Sequence, residues 1–203
     1  MKLYFRPFAG SLAARIAVAE AELDADFVYV APGRPLPDGR MFTEISPMGY
    51  VPALETPAGF VLTEGPAVLT YIAELAPEGV LAPPAFSDAH YRMQAWLNFV
   101  ATELHIRVFA PLLGQASEAE QRAARARLAR PFELLSRHLA LHDHLEGDFS
   151  VADAYLLTVL NWCETAGVAI AEWPVLRRYR GRLKSRPSVA RAIAEEYPLL
   201  EAA

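Results

Sequence analysis

The sequence predicts an α+β domain over residues 1–76, a linker over 77–87 and an all-α domain over 88–203. Three observations carry this prediction. Short β-rich runs alternate with helical spacing only before residue 76. The stretch 77–87 holds three prolines and a glycine, which no helix tolerates. Beyond it, every apolar pattern has the helical period. The charge is divided in the same place: the net −5 lies wholly in residues 1–80, with 5 basic and 10 acidic side chains, while residues 81–203 carry 14 of each.

The elements follow in order. Leu3 to Phe5 is an apolar-aromatic strand that ends at Pro7 and Gly10, and Ser11 opens a helix with Leu12, Ile16, Ala19 and Leu23 at helical spacing. Phe27 to Val30 is a second strand, followed by a loop over 31–40 with three prolines and two glycines. A helical turn is expected at Met41 to Ile45. Val51 to Glu55 and Phe60 to Leu62 then flank a Thr56-Pro57-Ala58-Gly59 turn, a hairpin signal. Gly65-Pro66 starts a helix through Val68, Leu69, Ile72 and Leu75, with proline where its missing N–H costs nothing. In the second domain, helices are expected over 88–113, 117–142, 150–165, 173–185 and 187–195. Ser150 with Asp153 three residues on is a helix-start signature, with Phe149 and Ala154 at the staple positions. The run from Ala154 to Leu160 is apolar all round, as a central buried helix is.

Composition excludes several functions. A net charge of −5 gives no basic surface for nucleic acid or an anionic membrane. One cysteine, Cys163, makes no internal disulfide, CxxC redox pair or cysteine-rich zinc site, and its apolar setting suits a small buried hydrophobe. No apolar run reaches the roughly 18 residues of a membrane span, and the first residues read as a strand, so a soluble cytoplasmic protein is expected. His138, His142 and His144 have a partial metal-ligand spacing without a carboxylate or cysteine to complete it. No metal is expected.

Several segments resemble the cytosolic glutathione transferase family, and most closely its bacterial beta class. They are the opening Met1 to Phe5 with Ala9, Ser11 and Leu12, then 46–54, 62–69, 98–105 and 149–155, which occur in family order over nearly the whole chain. The resemblance implies a thioredoxin-like N-terminal domain, an all-helical C-terminal domain and a homodimer that buries the apolar parts of 60–72 and 91–104. It also implies glutathione as co-substrate with no further cofactor, and a small hydrophobic electrophile. By the same resemblance glutathione meets Gly10, Arg34, Val51, Pro52, Glu64, Gly65, Asn98 and Glu103. His105 is placed near the sulfur. Three positions depart from the family pattern: Gly10 stands for a cysteine, Gly65 for a common serine, and Ile106-Arg107 for a lysine after the histidine.

The chemistry of the tripeptide assigns roles to these residues. A helix N-terminus at Gly65 offers free N–H groups and partial positive charge to the γ-glutamyl carboxylate. Glu64 either takes the ammonium or complements the helix dipole. Val51 before Pro52 would present its N–H and C=O to the cysteinyl backbone if the proline is cis, as the resemblance implies; a trans proline at a strand start is the other reading. Ser11, at the first helix, either favours the bound thiolate or caps its helix. Asn98, Thr102 and His105 fall on one polar stripe opposite Trp96, Val100, Leu104 and Val108, which should face a cleft. His105 is either a thiol partner or a surface histidine. Arg34 either meets the glycyl carboxylate or is solvated. Phe8, Tyr91 and Phe109 are assigned to the electrophile wall.

The resemblance therefore implies a glutathione transferase in which Ser11 and His105 activate the tripeptide's own thiol for attack on an electrophile. Gly10 supplies backbone freedom there but no sulfur. The alternative is a non-catalytic glutathione- or ligand-binding regulatory protein of the same fold. Disulfide exchange through the protein requires a site cysteine that the sequence lacks.

Overall fold

The computed structural model describes residues 1–201. In the first domain, β1 (Lys2–Phe5), α1 (Ser11–Glu20) and β2 (Asp26–Tyr29) form a βαβ unit with β1 and β2 parallel. A single 3-10 turn at Phe42–Glu44 precedes β3 (Ala53–Glu55) and β4 (Val61–Leu62), and α2 (Gly65–Leu75) follows. The sheet order is β2-β1-β3-β4, with β3 antiparallel to both neighbours. The hairpin closes where Thr56 N–H donates to Phe60 C=O, and Gly59 takes the φ of +86° that this turn needs. β3 begins two residues later than expected because its register with β1 ends at the Tyr4–Ala53 pair. Val51 and Pro52 are left outside the ladder.

The second domain opens at α3 (Asp88–Phe99), capped by Ser87 Oγ accepting from His90 N–H. The helix runs on through a π-helical segment, Val100–Phe109, into α4 (Ala110–Leu113). Two helices, α5 (Glu118–Arg127) and α6 (Ala129–Leu139), replace the single one expected over 117–142. Pro131 has no N–H to extend the ladder back across Arg127. Next comes α7 (Val151–Asn161), which ends before the expected 165, then α8 (Pro174–Lys184) and α9 (Pro187–Glu201). The last outruns its expected end at 195 and carries Pro198 within it. No helix among the described residues is long and apolar enough to cross a membrane.

The two domains share one core. Leu12, Ala13 and Ile16 of α1 belong to the same buried cluster as α2 and as Val151 to Leu160 of α7, all of which are buried. The linker is part of it: Leu81 is buried, and its C=O accepts the Val151 N–H. At the head of α7, Asp153 is fully buried and accepts four hydrogen bonds. They come from Ser150 N–H (3.0 Å) and Oγ–H (2.9 Å), Leu145 N–H (2.9 Å) and Tyr179 Oη–H (2.6 Å). The expected Ser150–Asp153 capping box is present, and the carboxylate extends it into a hub that also takes the Ser150 hydroxyl and binds α8.

On the far side, α9 is fastened to the first domain. Arg15 Nη2 meets Glu195 at 2.7 Å while its guanidinium lies over Phe5 and Phe27. Arg186 pairs with Glu20 at 2.6 Å. Glu196, fully buried, accepts from Phe8 N–H at 2.7 Å, and Phe8 C=O accepts from Trp162 Nε1–H at 2.7 Å. Those two bonds hold Phe8 at a φ of +56°, a left-handed backbone rare for a bulky residue. Burial pushes the Glu196 carboxyl up to about 7.

Two outcomes follow. Asp153→Ala leaves buried N–H and O–H donors without an acceptor, so unfolding in urea should show a loss of ~3–5 kcal/mol at unchanged m. For Glu196 the native carboxyl holds its proton to about 7 and the unfolded one only to 4.5. Between those values folding takes up a proton, so this group's contribution to stability is largest at acid pH and declines as pH rises to 7. Glu196→Gln removes that slope. The wild-type stability relative to this variant should fall by up to ~1.4 kcal/mol per pH unit from 4.5 to 7 and stay level above. A difference that is flat with pH would show Glu196 to be ionised throughout.

Candidate active site

Between the domains lies a cavity of about 970 Å³. Its walls come from the β1–α1 loop (Arg6 to Gly10), the segments 46–52 and 63–66, the π-helical segment, the end of α7, and inward residues of α8 and α9. Of the residues expected from the sequence, Phe8, Gly10, Val51, Pro52, Glu64, Gly65 and His105 line it.

One end is built for a peptide backbone and its amine. The Val51–Pro52 bond is cis, and Val51, outside the β1–β3 ladder, keeps its N–H and C=O unclaimed by the sheet. Glu64 sits at the N-cap of α2 with φ +68° and ψ 120° and makes no side-chain bond to the helix. A non-glycine residue in such a conformation costs on the order of 1–3 kcal/mol, a cost characteristic of ligand sites. Its carboxylate therefore does not cap α2, and the first-turn N–H groups are left for a ligand. At Gly65 a Cβ would stand 3.6 Å from Tyr155 Oη, which is ordinary contact. The position has room for a serine but no hydroxyl to offer.

At the centre, His105 Nδ1 and Tyr155 Oη are 2.7 Å apart. The imidazole lies edge-on to Trp162, with ring centroids 4.7 Å apart. Burial lowers the His105 pKa, which favours the neutral ring, and burial followed by the Glu64 charge raises that of Tyr155, which keeps its proton. Gly10 has an ordinary helical backbone, φ −56° and ψ −22°, so freedom is not its contribution. Space is. A Cβ there would lie 3.3 Å from His105 Cε1 and 4.0 Å from Val51 C=O, so the ring and the cis-proline segment converge on the point a side chain would fill.

Several assignments are corrected by the geometry. Ser11 is fully buried away from the cavity. Its Oγ accepts from Arg6 N–H (3.2 Å) and donates to Arg6 C=O (3.1 Å), so it neither caps α1 nor reaches a ligand. Asn98 and Thr102 bond back to Gln94 and Asn98 carbonyls on the outer face, and Glu103 pairs with Arg107 at 3.0 Å. The polar stripe fails because the helix is π-wound here. The residues of this segment that line the cavity are Ala101, His105, Ile106 and Ala110, a broader face than the expected stripe, and Asn98 and Thr102 are not among them. Arg107 on the outside supplies no cation to the site. Arg34 is exposed on its loop, Tyr91 is exposed on α3, and Phe109 is wholly buried against Trp162 rather than facing the cavity. Tyr155 and Trp162 were missed. A hydroxyl and an indole N–H in an otherwise apolar helix were the available signals.

The opposite end of the cavity, between α7 and α8, is polar. Asn161, Glu164, Thr165, Arg180 and Lys184 line it, and Ile106, Ala110 and Leu113 add apolar lining to the cavity. Both amide atoms of Asn161 are buried without a partner, a condition that costs ~1–3 kcal/mol if nothing fills it. Elsewhere, His138 Nε2 is 3.0 Å from Leu145 C=O, and the His142 ring stacks on that of His138. Among the described residues no group of three ligating side chains assembles. Cys163 is buried in α7's extension with its thiol pushed up to about 12, and it is no nucleophile.

Comparison with known proteins agrees with this geometry. Residues 9–75 match the family model for the glutathione S-transferase N-terminal domain, and residues 82–187 that for the C-terminal domain. Glutathione S-transferase GstA of Escherichia coli O157:H7 is 34% identical over 199 residues, covering 97% of this chain and 98% of that protein. Glutathione S-transferase GST-4.5 of Xanthomonas campestris pv. campestris is 31% identical over 206 residues, at 97% and 98% coverage. Among solved structures, the ternary complex of BphK, a bacterial GST, superposes with a TM-score of 0.92 at 37% identity, covering 97% of this chain and 99% of that one. A sphingomonad glutathione S-transferase complexed with glutathione gives 0.91 at 38% identity, with 97% and 98% coverage. Family matches spanning both domains and relatives that align end to end leave one assignment: the chain belongs to the glutathione S-transferase family.

Proposed function

We propose that this protein conjugates glutathione to small electrophiles, with the His105–Tyr155 pair activating the tripeptide's own thiol. The observation that carries this reading is the meeting of three features in one cavity: the cis Val51–Pro52 segment, Glu64 at the N-terminus of α2, and the 2.7 Å His105–Tyr155 contact beside Gly10. Val51 receives the cysteinyl backbone, Glu64 the ammonium, and the α2 N-terminus the γ-glutamyl carboxylate. The sulfur then falls in the space that Gly10 leaves open. His105, poorly basic because it is buried, donates from Nδ1 to Tyr155 Oη, and the Tyr155 O–H donates to the thiolate. The thiol proton leaves to solvent. Sulfur attacks the electrophilic carbon, and the leaving group departs with its bonding pair.

No cofactor takes part in this scheme. The protein acts as a cytoplasmic homodimer, for which the exposed apolar side chains of Phe60, Val61 and Tyr91 provide surface to bury. Neither nucleic acid nor membrane is a partner, in keeping with the net charge of −5.

Titration of the bound thiolate by its ultraviolet absorbance tests the pair. A hydrogen bond to a charged acceptor is worth ~1.5–3 kcal/mol, so Tyr155→Phe should raise the bound thiol's pKa by about 1–2 units and lower kcat more than it raises the glutathione KM. Ser11→Ala should leave that titration unmoved. A Tyr155→Phe curve that overlays wild type would transfer the role to another donor, and glutathione bound without thiolate formation in wild type would favour the non-catalytic binding protein. For Glu64→Ala, calorimetry should show glutathione affinity reduced about 10–100-fold, the loss of one charge-assisted contact. Unchanged affinity would mean that Glu64 does not meet the ammonium.

A further inference from the structure

We propose that the electrophile this site accepts carries a carboxylate, seated on Arg180 and Lys184 at the α7–α8 end of the cavity. The inference rests on the glutathione reading above and names the substrate class within it.

Arg180 and Lys184 stand four residues apart on α8, on one helix face, and both line the cavity. Among the described residues neither lies within 4.0 Å of a carboxylate oxygen, whereas Arg182 between them meets Asp143 at 3.4 Å. Arg180 is half-buried and spends one N–H on Leu160 C=O at 3.3 Å, which fixes the guanidinium and leaves its other donors for a planar anion. Glu164 is the carboxylate at this end, and it pairs with neither cation within 4.0 Å. A neutral apolar electrophile leaves both cations without an anion. An aryl electrophile that carries a carboxylate gives them one, with Ile106, Ala110 and Leu113 as apolar lining for its ring.

The test compares 4-chloro-3-nitrobenzoate with 4-chloro-3-nitrobenzamide. In both, the glutathione sulfur forms a C–S bond at the chlorine-bearing carbon, chloride leaves with the C–Cl electron pair, and the thiol proton passes to solvent. Each kcat/KM is divided by the uncatalysed rate constant with glutathione, which removes the difference in ring activation. The acid should then be favoured over the amide by about tenfold or more, with the preference shrinking as salt screens exposed Lys184. In the Arg180→Gln, Lys184→Gln double variant the ratio should fall to near one. A ratio that survives in the variant overturns the proposal, as does a wild-type ratio at or below one. So does a variant whose glutathione KM rises while the ratio holds, since the two cations would then serve the tripeptide.

Calorimetry of the two products, S-(4-carboxy-2-nitrophenyl)glutathione and its carboxamide, reads the same subsite without turnover. Tighter binding of the acid that is lost in the variant supports the proposal, and equal affinities overturn it. If glutathione and both conjugates fail to bind, the glutathione reading falls, and this inference falls with it.

Discussion

The buried carboxylate of Asp153 is the constraint on which the rest of the molecule depends. A charge with no exposure is tolerated only when its oxygens are fully bonded, and here four donors from three segments meet that demand. The consequence is that α7 has one possible start and one possible orientation against α8. Every residue from Val151 to Leu160 is then buried, so the helix cannot rotate without exposing apolar surface. Its register therefore fixes where its two polar aromatic groups fall. Tyr155 reaches His105, and Trp162, just beyond the helix end, reaches the Phe8 carbonyl.

From there the site is assembled by hydrogen bonds to a strained loop. Phe8 has a left-handed backbone because its C=O is taken by Trp162 and its N–H by Glu196, one just beyond α7 and one from α9. The first domain's loop is thus shaped by the second domain's helices, with Arg15–Glu195 and Arg186–Glu20 clamping α9 against α1. Ser11 completes the loop from inside by closing on both backbone groups of Arg6. A hydroxyl satisfied twice by the Arg6 backbone has little left to offer a ligand.

Much of this architecture was legible in the sequence. The proline-rich break between Leu75 and Asp88 separates the two kinds of periodicity, and the Ser150–Asp153 pair with the apolar run after it announces a buried helix. Glu64, Gly65 and the Val51–Pro52 step are local features, read from a few adjacent residues, and they line the cavity. The misplaced residues depend on information that is not local. A π-helical segment has no signature in an i, i+3, i+4 pattern, so Asn98, Glu103 and Phe109 were assigned to the wrong faces of one helix. Tyr155 was hidden by its neighbours, since an all-round apolar helix gives no indication of which side meets a cleft. Arg180 and Lys184 lie in an arginine-rich helix with no local feature to single them out, and it is the cavity lining that shows them inward.

Position 10 joins these threads. With glycine there, no side chain stands between His105 and the cis-proline segment, whereas a Cβ would press within 3.3 Å of the imidazole. The chain's one cysteine lies in the core with a thiol too weakly acidic to form a mixed disulfide at neutral pH. The protein thus brings no sulfur of its own to the reaction. What it brings are neutral donors: a buried imidazole, a tyrosine hydroxyl kept protonated, and a helix N-terminus. None of these changes charge when the thiol ionises. In the reaction proposed above, the Tyr155 O–H held by His105 lowers the thiol's pKa by binding its anion rather than by accepting its proton, which leaves the proton to water.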